Sequence, residues 1–474
     1  METPLKVRLH ILSPVHIGCD DAYEPTSFVI DEKKGRLIEF DPMAFIKSMS
    51  QQDRQRFSEI CMQGNISSIV SVYKFISGRQ VDGREVEIAN GIPAQYKRVR
   101  DLPLRDEKKL RQELNQFAIS RTAYSPYSNL PYIPGSSFKG ALRTAYLSKL
   151  AEDRGIKGRK DGAKEVETVL LGGSFDKDPF RMVKVSDLLP VTDVRTRIVY
   201  AVNKKKRSSS YEARGPFQIL ETIKPGTVLE GVINISTPGS GSGIGRPISS
   251  TVLVRSASAF YGKVLEDEKS VLKGICASHI EAGQFNGKLG KSAFLVRLGR
   301  HSGAEAVTIE GNRHIKIMQA KGERPRFFDH ATTIWLAAEV SKPTTNSGLV
   351  PFGWAVLELL PFDVENIYPS IKRHENKDKV PVEADTEKTN SYAVPEKPSH
   401  QPIIWENAPL TWDPSRKVVK TEIAGKKAET EPEEGCLLVP EPLHEKLFER
   451  RKTVKANVTV EHIGGKAFRI VKIE

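Results

Sequence analysis

Cysteine is scarce in this chain. Its 474 residues hold four, at Cys19, Cys61, Cys276 and Cys436, and no two stand at zinc-ligand spacing or form a dense disulfide framework. That pattern suits a reducing compartment, and a cytoplasmic location is expected. The chain opens on a charged, strand-like segment without the apolar core of a signal peptide. No apolar run approaches the roughly 20 residues of a membrane span. No amphipathic helix joins dense cations to a strong apolar face, so no membrane partner is expected. Aromatic residues make up 7% of the chain, and none mark the central strands in the pattern that stacks bases on an open sheet. The histidines form no HExxH or HxxxH pattern, and the glycine run Gly239 to Gly245 lacks the lysine of a phosphate loop. No cofactor and no metal are expected.

Positive charge is abundant. Lys and Arg number 72 against 59 Asp and Glu, a formal charge of +13 with a pI near 9.3. Such an excess favours a polyanionic partner. The composition, 39% hydrophobic and 28% charged, is that of a folded protein, and the length calls for two or three domains.

Residues 5–12 alternate as a strand, and Ser13-Pro14 ends it. Residues 27–40 read as a hairpin, and Asp41-Pro42 opens a helical stretch to about 77. The segment 78–131 is polar, basic and proline-broken, with a strand expected near 95–100. Further strands are expected at 180–185 and 194–202, and two more around the turn Lys224-Pro225-Gly226-Thr227 within 217–235. Lys204 to Ser210 reads as a basic loop tip. A helix is expected over 248–270, then strands at 292–299, 332–339 and 353–359.

The most informative run is Tyr132 to Arg143, with Pro134-Gly135-Ser136-Ser137 leading into a helix. Ser136 or Ser137 can cap that helix. Its first amides, at the positive end of the helix dipole, make an anion site. Gly135 lets a phosphate approach the backbone. Lys139 and Arg143 share one face, and Leu142, Ala145, Tyr146 and Leu150 form an apolar stripe. Ordinary capping chemistry gives the same pattern, so spacing alone leaves both readings open.

Ile133 to Arg143 resembles the signature of the RAMP superfamily, the repeat-associated proteins of CRISPR systems. Leu9 to Gly18 resembles the family's first strand and following loop. Phe294 to Arg300 and Leu349 to Trp354 are similar to late motifs of one branch, the fifth Csm subunits of type III-A effector complexes. The resemblance spans roughly residues 5 to 360. It implies an α+β fold of two tandem ferredoxin-like, RRM-like domains with insertions. These fall at 1–236, with a helical insertion at about 41–130, and at 246–362. A linker at 363–402 and a small β-rich module at 403–474 follow from composition and alternation.

The resemblance also implies a non-catalytic subunit that binds the guide RNA (crRNA), caps the backbone filament near its 3′ end and assists crRNA maturation in antiviral defence. Partners would be crRNA, neighbouring Csm backbone and small helical subunits, and target RNA. The candidate RNA-binding residues are Gly135, Ser136, Ser137, Lys139, Arg143, Arg214, Arg246, Arg297 and Arg300. The rival function is a metal-independent endoribonuclease that processes precursor crRNA through His16. A lone histidine after a strand is more often structural, and no partner groups accompany it in sequence. Asp20-Asp21 reads as an ordinary surface pair.

Overall fold

A computed structural model of the chain describes residues 4–158, 162–173, 175–207, 213, 215–319, 322–360 and 403–473, save 415, 417, 424–425, 431–437, 451–452 and 465–466. It divides into two units, Met1–Lys372 and Arg373–Glu474. The expected linker 363–402 lies outside the described residues.

The centre of the first unit is a six-stranded sheet. Leu5–Ile11 lies between Val228–Ile235 and Trp354–Leu360, antiparallel to both. Val183–Val185 extends one side and Ala293–Arg297 the other. In chain order its main parts are strand Leu5–Ile11, helix Gly135–Asp153, strands Val183–Val185 and Val228–Ile235, helix Ser250–Gly274 and strand Trp354–Leu360. This strand-helix-strand-strand-helix-strand unit, with its fourth strand beside its first, is ferredoxin-like. Alternation in the first strand drives the packing. Val7, Leu9 and Ile11 are buried with the apolar faces of the two helices, and Lys6, Arg8 and His10 point to the other face. There Lys6 and Arg8 pair with Glu230 at 3.0 and 2.6 Å, and His10 lies 3.1 Å from Glu358. The face on which RRM domains stack bases thus carries a charge ladder.

A second, nine-stranded sheet runs Gly18–Ala22, Ile119–Thr122, Gln218–Ile223, Thr196–Lys205, Arg84–Ile88, Arg36–Glu39, Phe28–Asp31, with Thr333–Ala338 also on Thr196–Lys205 and Val350–Pro351 beyond it. Helices Ile66–Ile76, Ile92–Arg100 and Glu107–Phe117 cover it through Val70, Tyr73, Tyr96, Val99, Leu110 and Phe117. The strand expected near 95–100 is therefore a helix. Pro93 sits in its first turn, where its missing N–H costs nothing, and the strand of this region is Arg84–Ile88.

The expected halves 1–236 and 246–362 interleave instead of following one another. Trp354–Leu360 pairs with Leu5–Ile11, and Thr333–Ala338 pairs with Thr196–Lys205. The turn Lys224-Pro225-Gly226-Thr227 does join two strands, but it carries the chain from the second sheet into the first. Gly226 supplies its positive φ of 87°.

One buried polar cluster ties the long helix to the sheet. Glu268, on Ser250–Gly274, accepts from the Trp354 indole at 2.6 Å and from the Arg297 guanidinium. Arg297 also donates to the Phe352 carbonyl at 3.0 Å. Glu268, Arg297 and Trp354 are 8%, 4% and 0% exposed.

The second unit is a closed five-stranded barrel in the order Ile403–Asp413, Val418–Ile423, Lys426–Glu429, Ala467–Ile473, Val454–Gly464. Lys426–Glu429 and Ala467–Ile473 run parallel, and a short helix at Glu441–His444 precedes Val454–Gly464. This is the strand order of oligonucleotide- and oligosaccharide-binding barrels. Leu410, Val419, Val458, Val460 and Ile470 fill the interior, with Leu447 joining them. Outside, Lys420 faces Glu429 and Glu422 faces Lys427 across the strands, so that wall neutralises itself.

Glu268→Ala should lower unfolding free energy by about 3–5 kcal/mol, because Arg297 would be left charged and buried without its partner. A urea midpoint equal to that of the parent would show that the cluster does not hold the helix to the sheet.

Candidate nucleic-acid interface

The signature helix begins two residues earlier than capping by Ser136 requires, and three earlier than capping by Ser137. It spans Gly135–Asp153 with Pro134 as its N-cap and no side-chain cap. The expected capping by Ser136 or Ser137 is therefore not made. The Gly135 amide donates to Asp187 Oδ1 at 2.8 Å. The amides of Ser137 and Phe138 bond the Pro134 carbonyl at 3.0 and 3.2 Å. A carboxylate of the chain itself thus takes the positive end of the helix. Gly135 has a packing reason as well: an added Cβ would stand 2.2 Å from the Val185 carbonyl oxygen. The expected phosphate cradle at this turn is filled from within.

Arg143 is likewise engaged. It bonds Asp178 at 2.6 Å and Glu167 at 2.7 Å and lies over the Phe180 ring. These carboxylates hold its guanidinium above the usual arginine range against the opposing effect of burial. Its work is to tie the helix to Ala163–Leu171 and the turn at Pro179–Met182. Lys139 is half-exposed, and no acid pairs with it among the described residues. Ser136 is exposed and Ser137 half-exposed. Arg246 is exposed and shares a small cleft of about 250 Å³ with Tyr146, Arg154 and Lys177, near the other end of the same helix. Arg214 lies outside the described residues.

The late motif divides. Arg297 is inside the protein, bound to Glu268 and Phe352, so it cannot clamp RNA on an open surface. Arg300 is exposed, and its amide donates to the His16 carbonyl at 2.8 Å. Gly299, at φ 78°, has room only for hydrogen, since a Cβ would meet that same carbonyl oxygen at 2.3 Å. Gly353, at φ 89°, is pressed against the Leu298 carbonyl in the same way, at 2.4 Å. Gly353 donates to Pro14 at 2.9 Å, and the Trp354 amide donates to Ser13 Oγ at 2.9 Å. The three motifs read from the sequence therefore meet: the loop after the first strand is locked between the two late ones.

His16 lies within that lock at 0% exposure. Its Nδ1 donates to the Glu221 carbonyl at 2.7 Å, and its Nε2 has no partner among the described residues. Burial lowers its pKa. A ring closed to solvent cannot reach a ribose 2′-hydroxyl to take its proton, which removes the geometry that cleavage through His16 requires. His301 stacks on Trp335 at 4.5 Å and meets Gln218 Oε1 at 3.0 Å. Burial, then the Arg300 charge and His16, push its pKa down to about 3. Asp21 accepts from the Tyr124 hydroxyl at 2.8 Å, and no group of three metal-ligating side chains assembles among the described residues.

Sequence reasoning took Lys204 to Ser210 as a basic loop tip but did not place it beside a concave surface. The strand end and loop Lys204-Lys205-Lys206-Arg207 separates two clefts of about 960 and 740 Å³. The first lies against the hairpin Ile315–Ile317 and Arg326–Phe328, which exposes Phe327 and Phe328 at 48% and 38%. The available signal was the Arg-Phe-Phe run at 326–328, in a segment where no element was expected.

Residues 8–300 match the model of the RAMP superfamily, more than half of the chain, and the chain belongs to that superfamily. It is similar to a curated protein of Methanocaldococcus jannaschii described as CRISPR system Cms protein Csm5, 26% identical over 199 residues. That stretch is 39% of this chain and 43% of the relative, so the chain spans less than half of the relative's length. Two solved chains are also similar. One belongs to a Csm-crRNA-target RNA ternary complex of a type III-A CRISPR-Cas system, with TM-score 0.47, 17% identity and coverage of 75% of this chain and 100% of that one. The other is T. onnurineus Csm5, with TM-score 0.44, 18% identity and coverage of 74% and 99%.

Two predictions follow the local chemistry. Arg143→Ala should destabilise the fold by about 1–3 kcal/mol through loss of its charged hydrogen bonds, whereas Lys139→Ala should leave the urea midpoint in place; equal midpoints would deny Arg143 its structural role. His16 and His301 take up protons less readily folded than unfolded, where both have a pKa near 6.5. Below pH 6.5 the unfolded chain therefore binds more protons, and stability falls as pH drops toward 3. Unfolding at pH 7.5 and 5.5 should show this loss, and His301→Gln should reduce it by about 1 kcal/mol. A loss unchanged in the variant would rule out His301 as its source.

Proposed function

We propose that this chain is a non-catalytic RNA-binding subunit of a type III-A CRISPR effector complex, of the fifth Csm type. The observation that carries the reading is the superfamily match across residues 8–300 on a chain of charge +13. The similarity to the curated Csm5 relative supports the branch, and the burial of His16 supports a subunit that does not cut RNA through that residue. The subunit binds crRNA, caps the backbone filament near the crRNA 3′ end and assists maturation of the guide. Its partners are a neighbouring backbone subunit, the small helical subunit and, during interference, target RNA, all in the cytoplasm. No described helix is long and apolar enough to cross a membrane.

A filament of like subunits adds copies through a heterologous face that does not close on itself. A divergent last unit that offers one compatible face ends such growth. The first sheet does not hold bases, because the charge ladder of Lys6, Arg8, Glu230 and Glu358 occupies the face on which they would otherwise stack, and contact there is with the RNA backbone. Ser136, Ser137, Lys139, Arg246 and Arg300 are the candidate contacts that the chain leaves available among the described residues.

The full chain, titrated against labelled single-stranded RNA, should bind it and lose affinity with salt, roughly fiftyfold between about 50 and 200 mM if four phosphates are contacted. Repeat RNA should remain intact. No binding at low salt would overturn the RNA-binding function, and cleavage that His16→Ala abolishes would establish the endoribonuclease.

A further inference from the structure

The two clefts beside Lys204–Arg207 are contiguous, since Lys205, Arg207 and Gly274 line both. Each pairs an aromatic side chain with cations: Phe328 with Arg326 in the larger, Phe217 with Lys342 in the smaller. Alternation along Arg326–Phe328 turns residues 326 and 328 to one side, into the cleft, and Phe327 to the other, where it stacks on His314 at 4.1 Å. Arg207, Arg326 and Lys342 are exposed, and no carboxylate pairs with them among the described residues.

Two arginines that line the larger cleft hold buried N–H groups without a partner among the described residues. Arg297, 4% exposed, spends Nη1 on Glu268 and Nε on Phe352, but its Nη2 is buried without a partner. Arg313 likewise leaves a buried Nε unpartnered while Nη2 bonds the Glu305 carbonyl at 3.2 Å. A buried guanidinium N–H with no acceptor is costly unless something supplies one. The acids nearby are largely spoken for: Glu268 by Arg297 and Trp354, and Glu305 by Lys206. Asp267 is the remaining carboxylate of the lining. The surface therefore favours a ligand with anionic oxygens, acceptors that reach inward and flat apolar faces, which is the description of a nucleotide. Two such seats joined under one basic loop suit a strand better than a single free nucleotide.

We propose that these joined clefts are a track for unpaired RNA, with a base against Phe328 and phosphates at Arg326, Arg207 and Lys342. The track rests on the RNA-binding function proposed above and gives it a second surface, apart from the signature helix, where bases are held as well as phosphates.

The test uses the full chain and a labelled 20-nucleotide polyuridine, read by fluorescence anisotropy, with thermal unfolding to confirm that each variant folds. Phe328→Ala should weaken binding by roughly tenfold, the loss of one stacked base. Arg326→Glu and Lys342→Glu should each make the plot of log affinity against log salt shallower by about 0.7. Parental affinity and slope in all three folded variants, with the parent binding RNA, would overturn the track alone. A parent that binds no RNA would overturn the proposed function and the track together. Uridine monophosphate that competes as well per nucleotide as the 20-mer would replace the strand by a free nucleotide.

Discussion

A single buried carboxylate organises the centre of this protein. Glu268 comes from the long helix, Arg297 from an edge strand and Trp354 from the strand beside the first, and the three meet where water does not reach. Removing two charges from water is expensive, and the pair repays it only with well-directed hydrogen bonds. The chain supplies these through the indole of Trp354 and the carbonyl of Phe352. Arg297 is also among the residues that line the larger cleft, so the same arginine that fixes the helix helps to shape a candidate RNA surface.

Much of the fold was legible before any coordinates. The period-two alternation of Leu5 to Ile11, the turn at Lys224 to Thr227 and the alternating Val454 to Val460 each gave the right element, because local backbone chemistry decides them. The α+β class, the ferredoxin-like unit and the β-rich end module follow the expectation. The interleaving of the chain halves was not legible. Which strand sits beside which depends on tertiary pairing over hundreds of residues, and no local pattern encodes it. Ile92 to Arg100 shows the same limit at short range: a helix is chosen by burial of Tyr96 and Val99 against the second sheet.

The candidate site was read less well, for a definite reason. Glycine, serine and cations before a helix describe a phosphate cradle and an internal dock equally, and only the location of Asp187, Asp178 and Glu167 separates them. All three lie at least two dozen residues beyond Arg143 in the chain. Gly299 and Gly353 looked like parts of a binding motif, yet both are demanded by carbonyl oxygens pressed against them. The aromatic code was sought on the sheet strands, while Phe327 and Phe328 stood on a hairpin whose one signal was the Arg-Phe-Phe run itself.

The placement of Trp354–Leu360 beside Leu5–Ile11 also has a temporal side. The strand Leu5–Ile11 leaves the ribosome some 350 residues before its second neighbour is made. Once Val228–Ile235 has emerged and paired, one edge of the opening strand stays bare until the remaining stretch is translated, on the order of ten seconds at ordinary synthesis rates. A nascent chain with such an unsheltered edge is a target for mispairing, so production of this protein should benefit from chaperones that bind exposed strands during elongation.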